Sequence, residues 1–220
     1  MTSVPRLLSD RLATDPGGPL ITFYDDATGE RVELSTATLD NWIAKTANLL
    51  IDGLGLGPGD TAAVDLPLHW QAAVAVLACA SAGLEVIDAE DERPAVAFWA
   101  EGSGEPPDAD DIVGLSLRPL AGPLTASYPG VTDYAREVAG FGDRFAAQQP
   151  TEVTVGEPVP DRVLVTEDLP VELLLAVIAG GGSLVLCRHP VATALARRAA
   201  TERITKVLRN GLLVPPDEQG

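Results

Sequence analysis

The sequence predicts an α/β fold with a mostly parallel sheet, flanking helices and a small N-terminal hairpin. Two stretches carry this prediction: residues 61–87 indicate strand, helix and strand in turn, and residues 162–203 indicate strand, helix, strand and helix. Short connections between elements in this order are typical of βαβ units with parallel strands. Because 46% of the 220 residues are apolar, the chain can bury one sizeable core, and we expect a single domain over residues 1–220.

The first segment predicts a hairpin followed by a helix. Two strand-like runs, ITFY at 21–24 and RVEL at 31–34, flank the turn residues DDATGE. Ser35 or Thr36 can then cap a helix. The apolar residues of that helix recur at helical spacing, at Leu39, Ile43, Ala47 and Leu50.

A Pro58-Gly59-Asp60 corner leads from this helix into the strand TAAVDL. Proline fixes φ, glycine tolerates either sign of φ, and aspartate bonds to nearby backbone N–H groups, so we expect a tight reversal. The surrounding GPGDTA (57–62) matches the form of the G-x-G-x-x-A dinucleotide fingerprint. That fingerprint must follow a strand and open a helix, whereas this run follows a helix and opens a strand, so we interpret it as a turn. An alanine-rich helix over 69–82 and the strand LEVID complete the unit.

The middle of the chain predicts two more strands, PAVAFW at 94–99 and DIVGLSL at 111–117, separated by an acidic loop. We expect a loop-rich connection over 118–160, with one short amphipathic helix within VTDYAREVAGFGDRF (131–145). The second βαβ stretch follows, and three glycines at 180–182 end its first helix. The last seven residues, VPPDEQG at 214–220, are expected to form a polar tail.

The charge of the chain excludes some classes of partner. Fifteen Lys and Arg residues stand against 32 Asp and Glu, a formal net charge of −17, which disfavours binding to nucleic acid and to anionic membrane surfaces. The N-terminus meets charge and proline too early for a secretory apolar core, and no apolar run reaches membrane-spanning length without interruption. We expect a soluble, cytoplasmic protein.

Cys79 and Cys187 lie in apolar runs without CxxC spacing, which favours buried thiols over a disulfide or a zinc site.

Few residue patterns indicate catalysis. The chain has only two lysines, Lys45 and Lys206, neither of them in a P-loop motif, and no G-x-S-x-G elbow occurs. His69 and His189 could titrate near neutrality, but isolated histidines of this kind are more often capping or surface residues than catalysts. The sequence therefore assigns no catalytic residue, no metal ligand and no cofactor.

Candidate pocket residues are those that follow predicted strands, since open parallel sheets bind ligands at the carboxyl ends of their strands. Asp88 follows the strand LEVID, and Thr166, Glu167 and Asp168 follow RVLV. The other carboxylates near Asp88 are Glu90, Asp91 and Glu92. For this acidic group a solvated loop is favoured over a metal-binding or acid–base role.

Two long runs of the sequence carry a family resemblance. The first is ITFYDDATGERVELSTATLDNWIAKTANLLIDGLGLGPGDTAAVDLPLHWQAAVAVLACASAGLEVI, with a Gly-x-x-Pro-Gly-Asp corner at 55–60 and further marks at Pro67 and Gly83. The second is DRVLVTEDLPVELLLAVIAGGGSLVLCRHPVATALARRAATERIT. Together the two runs cover about half of the chain. In this order they resemble the N-terminal region of the adenylate-forming superfamily: acyl-CoA synthetases, nonribosomal adenylation domains and firefly-type luciferases. The chain also resembles short actinobacterial proteins of this type, and its Lys-poor, Ala-, Arg- and Gly-rich composition is compatible with a high-GC genome.

The resemblance implies family features that this sequence departs from. Family members hold ATP phosphates with a Ser/Thr/Gly-rich loop ending in Pro-Lys-Gly, and residues 118–150 contain no such run. Where the family often has a histidine or aromatic residue beside the acyl pocket, this chain has the residues Glu-Asp-Leu-Pro at 167–170. Family members also continue past the point that matches the end of this chain, into nucleotide-binding motifs and a domain with a catalytic lysine. No catalytic residue can be carried over.

The resemblance therefore predicts a truncated, degenerate relative without ligase activity of its own. It would bind a small acyl or nucleotide ligand, or a protein partner such as a full-length synthetase. The alternative is an ATP-dependent acyl-CoA ligase with an unconventional or partner-completed phosphate site, for which so acidic a chain offers little charge compensation. A third hypothesis is a purely structural interaction module, which a large apolar patch or a stable oligomer without a pocket would indicate.

Overall fold

A computed structural model describes residues 1–88 and 92–216, and these residues divide into two compact units. The first unit comprises Met1–Arg6, Asp40–Pro67 and Gln71–Val153. The second unit comprises Leu7–Leu39, Leu68–Trp70 and Thr154–Gly220. Each unit has its own β-sheet, and the single domain expected over 1–220 stays a prediction.

The helices follow the sequence prediction closely. The described part of the chain contains six α-helices: α1 (Val4–Thr14), α2 (Thr36–Asn48), α3 (Trp70–Ala82), α4 (Tyr134–Val138), α5 (Val171–Gly180) and α6 (Ala192–Thr201). Helices α2, α3, α5 and α6 lie where the apolar spacing predicts them, whereas α1 was not predicted. The Ser35 hydroxyl accepts a hydrogen bond from the Thr38 N–H (3.1 Å), as expected for the cap of α2. Helix α5 ends against Gly181, whose φ of +78° suits a glycine at this position.

The first unit is built on a five-stranded, wholly parallel sheet. Its strands are β4 (Thr61–Asp65), β5 (Glu85–Val86), β6 (Val96–Ala100), β7 (Asp111–Leu115) and β8 (Val131–Asp133), in the spatial order β5-β4-β6-β7-β8. A short antiparallel pair, β1 (Thr2–Ser3) with β9 (Glu152–Val153), lies in the same unit. The sheet corrects one prediction, because Val131–Asp133 form a strand and not the start of a helix. The Asp133 carboxylate accepts from the N–H groups of Ala135 and Arg136, so the helix begins only at Tyr134.

The Pro-Gly-Asp corner has the geometry of a turn. Gly59 has a φ of +95°, which a glycine adopts without strain. The Asp60 carboxylate accepts from the Gly57 N–H (2.7 Å), and the Gly59 N–H donates to the Gly83 carbonyl (3.1 Å). These contacts explain the corner as a structural turn of the fold.

The second unit is built on a six-stranded mixed sheet. Its strands are β2 (Pro19–Asp25), β3 (Glu30–Ser35), β10 (Arg162–Val165), β11 (Ser183–Arg188), β12 (Lys206–Arg209) and β13 (Leu212–Val214), in the spatial order β13-β12-β10-β11-β2-β3. The predicted N-terminal hairpin β2–β3 is antiparallel, and β2 also pairs in parallel with β11 from Ile21 to Asp25. The hairpin is therefore part of the main sheet of this unit.

The opposite edge of this sheet was not predicted. Strands β12 and β13 form a hairpin around Asn210 and Gly211, whose φ values are +50° and +76°. Two adjacent positive φ values fit the two-residue turn that Asn-Gly favours. The predicted start of the polar tail at residue 214 is therefore too early, because Val214 is the last residue of β13 and pairs with Val207. Residues 217–220 lie outside the described residues.

Both cysteines are fully buried and free, as the apolar runs predict. Burial raises the pKa of the Cys79 thiol to about 12 and also raises the pKa of the Cys187 thiol.

Across the described ranges, none of the helices has the length and apolarity needed to cross a bilayer.

Candidate functional site

The strand order of the second unit contains a point where the chain reverses direction across the sheet. From β10 the chain passes through α5 to β11 on one side; from β11 it passes through α6 to β12 on the other side of β10. Ligands of open α/β sheets bind at the carboxyl ends of the strands beside such a switch point. The relevant strand ends here are those of β10 and β12.

A groove of about 560 Å³ includes both of these strand ends. We call it the α6 groove, because α6 forms one of its walls. Its lining consists of Leu164, Thr166, Ala192, Leu195, Ala196, Ala199, Ala200, Ile204, Val207, Arg209 and Pro216. The lining is mainly apolar, with a hydroxyl at the end of β10 and a guanidinium at the end of β12. This combination suits an apolar molecule with one anionic group.

The Asp26 carboxylate attaches α6 to the sheet through an ion pair with Arg198, in the last turn of the helix, and through a backbone hydrogen bond at its start. The Arg198 guanidinium donates to the Asp26 carboxylate at 2.6 and 3.2 Å, and both side chains are nearly buried. The other donor to Asp26 is the N–H of Val191 (2.8 Å), the residue before α6. The hydrogen bond from Arg198 holds the pKa of the Asp26 carboxyl below its usual value. Arg198 also lies over the ring of Tyr24, 4.1 Å from its centroid.

A second carboxylate attaches the end of α6. Glu202 accepts from the Tyr24 hydroxyl, from Arg162 and from Arg31 (3.3 Å). The Arg162 Nε also donates to the Glu202 carbonyl (2.7 Å). Burial by itself would raise the pKa of the Glu202 carboxyl, but the hydrogen bonds from Tyr24, Arg162 and Arg31 lower it below its usual value. The carboxylate is therefore held in its charged form.

The two histidines differ from each other in environment. His69 is 1% exposed, with its ring 4.4 Å from that of Phe23, and burial followed by the charge of Arg188 lowers its pKa to about 3. It does not titrate near neutrality, contrary to the sequence expectation. His189 is half exposed, and its Nδ1 lies 3.0 Å from the buried Asp25 carboxylate. Burial by itself would raise the pKa of Asp25, but the hydrogen bonds with His189 and the Ala27 N–H, together with nearby positive charge, lower it below its usual value.

The predicted pocket residues fall in two separate places. Thr166 lines the α6 groove, whereas Glu167 and Asp168 are exposed and are not among its lining residues. Asp88 belongs to the first unit, where it and Asp65 line another cavity, of about 470 Å³, at the ends of β5 and β4. Residues 89–91, which include two of the acidic cluster, lie outside the described residues. Within residues 1–88 and 92–216, no three His, Cys, Asp or Glu side chains are placed to hold a metal ion.

Sequence reasoning missed Arg209 and the alanine-rich wall of the groove. Recognition of the Asn210-Gly211 turn would have revealed β12 and placed Arg209 at its carboxyl end. No sequence signal marked the alanines of α6, since small residues on a helix are most often packing residues.

Comparison with known proteins gives both a fold and a family. No protein-family model matches the chain. Over 239 aligned residues it is 40% identical to a TIGR03089 family protein of Mycobacterium tuberculosis (strain ATCC 25618 / H37Rv), an alignment that covers 92% of this chain and 96% of that protein. Over 68 residues it is 41% identical to an acetyl-coenzyme A synthetase of Coprinopsis cinerea, which covers 31% of this chain and 10% of that enzyme.

Solved structures of acyl-CoA synthetases share the fold. Acetoacetyl-CoA synthetase from Streptomyces lividans superposes with a TM-score of 0.68 at 18% identity over 93% of this chain. The anthranilate CoA ligase AuaEII, solved with anthranoyl-AMP, gives 0.69 at 12% identity over 93%. The N-terminal domain of FACL13 from Mycobacterium tuberculosis gives 0.63 at 14% identity over 93%. The chain spans 42%, 49% and 62% of these three solved chains, respectively.

These identities are low, so the solved structures speak to fold alone. They confirm the predicted α/β class and its likeness to the N-terminal part of acyl-CoA synthetases. The alignment that covers nearly the whole of both chains decides the family: this chain belongs to the TIGR03089 family.

Proposed function

We propose that this chain is a ligand-binding domain of the acyl-CoA synthetase type, without ligase activity of its own, and that it binds a small acyl carboxylate in the α6 groove. The observation that carries the proposal is the position and chemistry of that groove. It includes the carboxyl ends of β10 and β12 at a topological switch point, its walls are apolar, and Arg209 is the charged residue of its described lining.

Charge favours a carboxylate over a triphosphate. The chain carries a net charge of −17, and residues 118–150 hold no Ser/Thr/Gly-rich run ending in Pro-Lys-Gly. Of the two lysines, Lys45 donates to the Phe141 carbonyl (2.6 Å) and Lys206 is not part of the groove lining. One guanidinium can compensate one carboxylate, whereas a nucleoside triphosphate needs a cradle of several donors.

The same proposal includes a degenerate origin from a larger synthetase, a cytoplasmic location and a protein partner such as a full-length synthetase. Its support is the fold shared with the N-terminal part of acyl-CoA synthetases, together with the lack of a Pro-Lys-Gly phosphate loop in residues 118–150. A partner that supplied a phosphate site would turn the complex into a ligase.

The test is a thermal-unfolding titration of the full chain with octanoate, octanamide, AMP, magnesium-ATP, CoA and a non-hydrolysable acyl-adenylate analogue. Octanoate at a hundred times its Kd should stabilise the protein by about 2.7 kcal/mol, and octanamide should stabilise it much less because it lacks the charge. Arg209→Met should weaken octanoate binding about tenfold, since a hydrogen bond to a charged group contributes about 1.5–3 kcal/mol and this one is partly solvated.

Lys206→Met is the matched control, because it removes the same charge from the same strand but lies outside the groove lining. Octanoate affinity should be unchanged in this variant. Absence of a saturable shift with octanoate, or equal losses in the two variants, would overturn the proposed site. Magnesium-dependent exchange of pyrophosphate into ATP in the presence of an acid would overturn the claim that the chain lacks ligase activity.

A further inference from the structure

We propose that α6 is a lid over the α6 groove, held closed by the ion pairs of Arg198 and Glu202 near its end and by a hydrogen bond at its start, and able to open as one unit. Its role in admitting a ligand rests on the proposed function. The opening itself does not, because it follows from how α6 is attached to the sheet.

The two helices of the second βαβ stretch are anchored in different ways. In α5 six of the ten residues are buried, an apolar anchor that extends from Leu173 to Ile178. In α6, which is equally long, no residue is buried. Leu195 and Ala199 reach the apolar cluster on the sheet, but only as partly buried neighbours. Segments with little buried apolar surface open locally at a lower free energy than the rest of a domain.

Two carboxylates supply the attachment that apolar packing does not. Asp26, at the end of β2, receives Arg198 and the backbone N–H of Val191. Glu202, directly after α6, receives Tyr24, Arg31 and Arg162. Such contacts depend on distance and orientation and are lost together once the helix moves. An attachment of this kind favours two discrete positions of α6.

One of the residues that flank α6 has the strain expected of a hinge. His189 and Arg203 both have left-handed backbone conformations, with φ values of +49° and +53°. For residues other than glycine this region is unfavourable, and it persists only where surrounding contacts enforce it. Arg203 follows the C-cap of α6, where this conformation is usual: the Ile204 N–H donates to the Ala199 carbonyl (2.9 Å) and the Arg203 N–H to the Ala200 carbonyl (3.2 Å). Rotation at His189 would relieve strain while α6 moved away from the groove.

A natural probe lies beneath α6. The Cys187 thiol is fully buried in the cluster that Leu195 and Ala199 cover, and Arg198 Nη1 lies 3.4 Å from its sulfur. Opening of α6 would expose this thiol to solvent. The other cysteine of the chain, Cys79, is fully buried in α3 of the first unit and serves as an internal reference.

The experiment measures alkylation of the two cysteines by iodoacetamide in the native full chain, resolved by peptide mass spectrometry across a series of low urea concentrations. We expect Cys187 to react at least tenfold faster than Cys79, with a shallow urea dependence, because a local opening exposes little surface. Asp26→Asn should speed Cys187 a further tenfold or more and leave Cys79 unchanged. This variant keeps Arg198 next to the thiol but removes the charge of Asp26, which raises the pKa of Cys187, so the rates are compared for the fully ionised thiolate, from their dependence on pH.

Val177→Ala in α5 is the control for general loosening of the second unit, since Val177 is fully buried and outside α6. Val177→Ala should change the alkylation rate of Cys187 only in proportion to its effect on global unfolding. Equal rates at the two cysteines, a steep urea dependence at Cys187, or no acceleration in Asp26→Asn would each overturn the lid. Saturating octanoate should slow Cys187; if Cys187 opens as expected but octanoate binds without slowing it, the lid stands and its role in ligand entry is wrong. If octanoate does not bind at all, the proposed function fails and the opening measured without ligand still decides the lid.

Discussion

Replacement of Glu202 by glutamine should destabilise the second unit far more than the same change at Glu33. Both carboxylates contact Arg31: Glu33 at 2.7 Å and Glu202 at 3.3 Å. The Glu33 and Arg31 side chains are 43% and 47% exposed, whereas Glu202 is 8% exposed and also pairs with Arg162, which is 16% exposed. Each substitution removes one negative charge. The two variants differ chiefly in how well water solvates the arginine that loses its partner.

The magnitude follows from the partner that is left behind. Glutamine at 202 can still accept through one oxygen, but Arg162 would then lie nearly buried without a countercharge, which typically costs about 3–5 kcal/mol. Arg162 keeps hydrogen bonds to Ser183 and Thr22 at 3.0 Å each, so we expect the lower end, about 3 kcal/mol, or roughly a hundredfold in the folding equilibrium. An exposed pair such as Arg31–Glu33 contributes about 0.2–1 kcal/mol.

The assay is urea unfolding followed by circular dichroism, repeated from pH 7 down to pH 3. Because the folded-state pKa of Glu202 is lowered, its contribution is complete above the unfolded-state value of about 4.3 and is lost as the pH falls through the folded-state value. The wild type and Glu202→Gln should therefore converge in acid. Equal losses for Glu202→Gln and Glu33→Gln at pH 7, or a difference that persists unchanged at pH 3, would refute the reasoning.

Three further predictions follow from other contacts. Glu101 accepts hydrogen bonds from two backbone N–H groups and two hydroxyls of residues 125–128, so Glu101→Ala should lower the free energy of unfolding by about 1–2 kcal/mol. Glu105→Ala, at an exposed position, should not change this free energy measurably. A Cβ at Gly180 would lie 2.4 Å from backbone atoms of residue 159, so Gly180→Ala should lower the free energy of unfolding, measured by urea titration, by about 3 kcal/mol. Gly17 has open space around it, so Gly17→Ala should be tolerated. The ring protons of His69 should show no titration by NMR between pH 8 and pH 5, because burial lowers its pKa to about 3; a midpoint near 6.5 would contradict its burial.

Local patterns sufficed to predict most of the elements, because each depends on residues close in sequence. The apolar spacing of α2 and the turn at Pro58–Asp60 are examples, as is the end of α5 at Gly181. Partner strands could not be predicted in this way. The pairing of β2 with β11 joins Ile21 to Leu184, across most of the chain, and only the assembled sheet specifies it.

The candidate site was predicted only in part for the same reason. The rule that ligands bind at carboxyl strand ends led to Thr166, which does line the α6 groove. It also led to Glu167 and Asp168, which immediately follow Thr166 but are exposed and outside the lining. Arg209 could enter the prediction only once β12 was recognised, and the groove itself exists because β12 is placed beside β10 by the crossover through α6.

The two sheets each offer a switch point, and charge decides which of them suits an acid. In the first unit β4 lies between β5 and β6, so its carboxyl end borders a reversal of chain direction as β10 does in the second unit. Two carboxylates, Asp65 and Asp88, line the cavity there, and in a chain with a net charge of −17 they would repel an anionic ligand. The α6 groove has Arg209 at the corresponding place. The same topological rule therefore applies to both units, and the charges at the strand ends favour the α6 groove over the cavity of the first unit for the proposed carboxylate ligand.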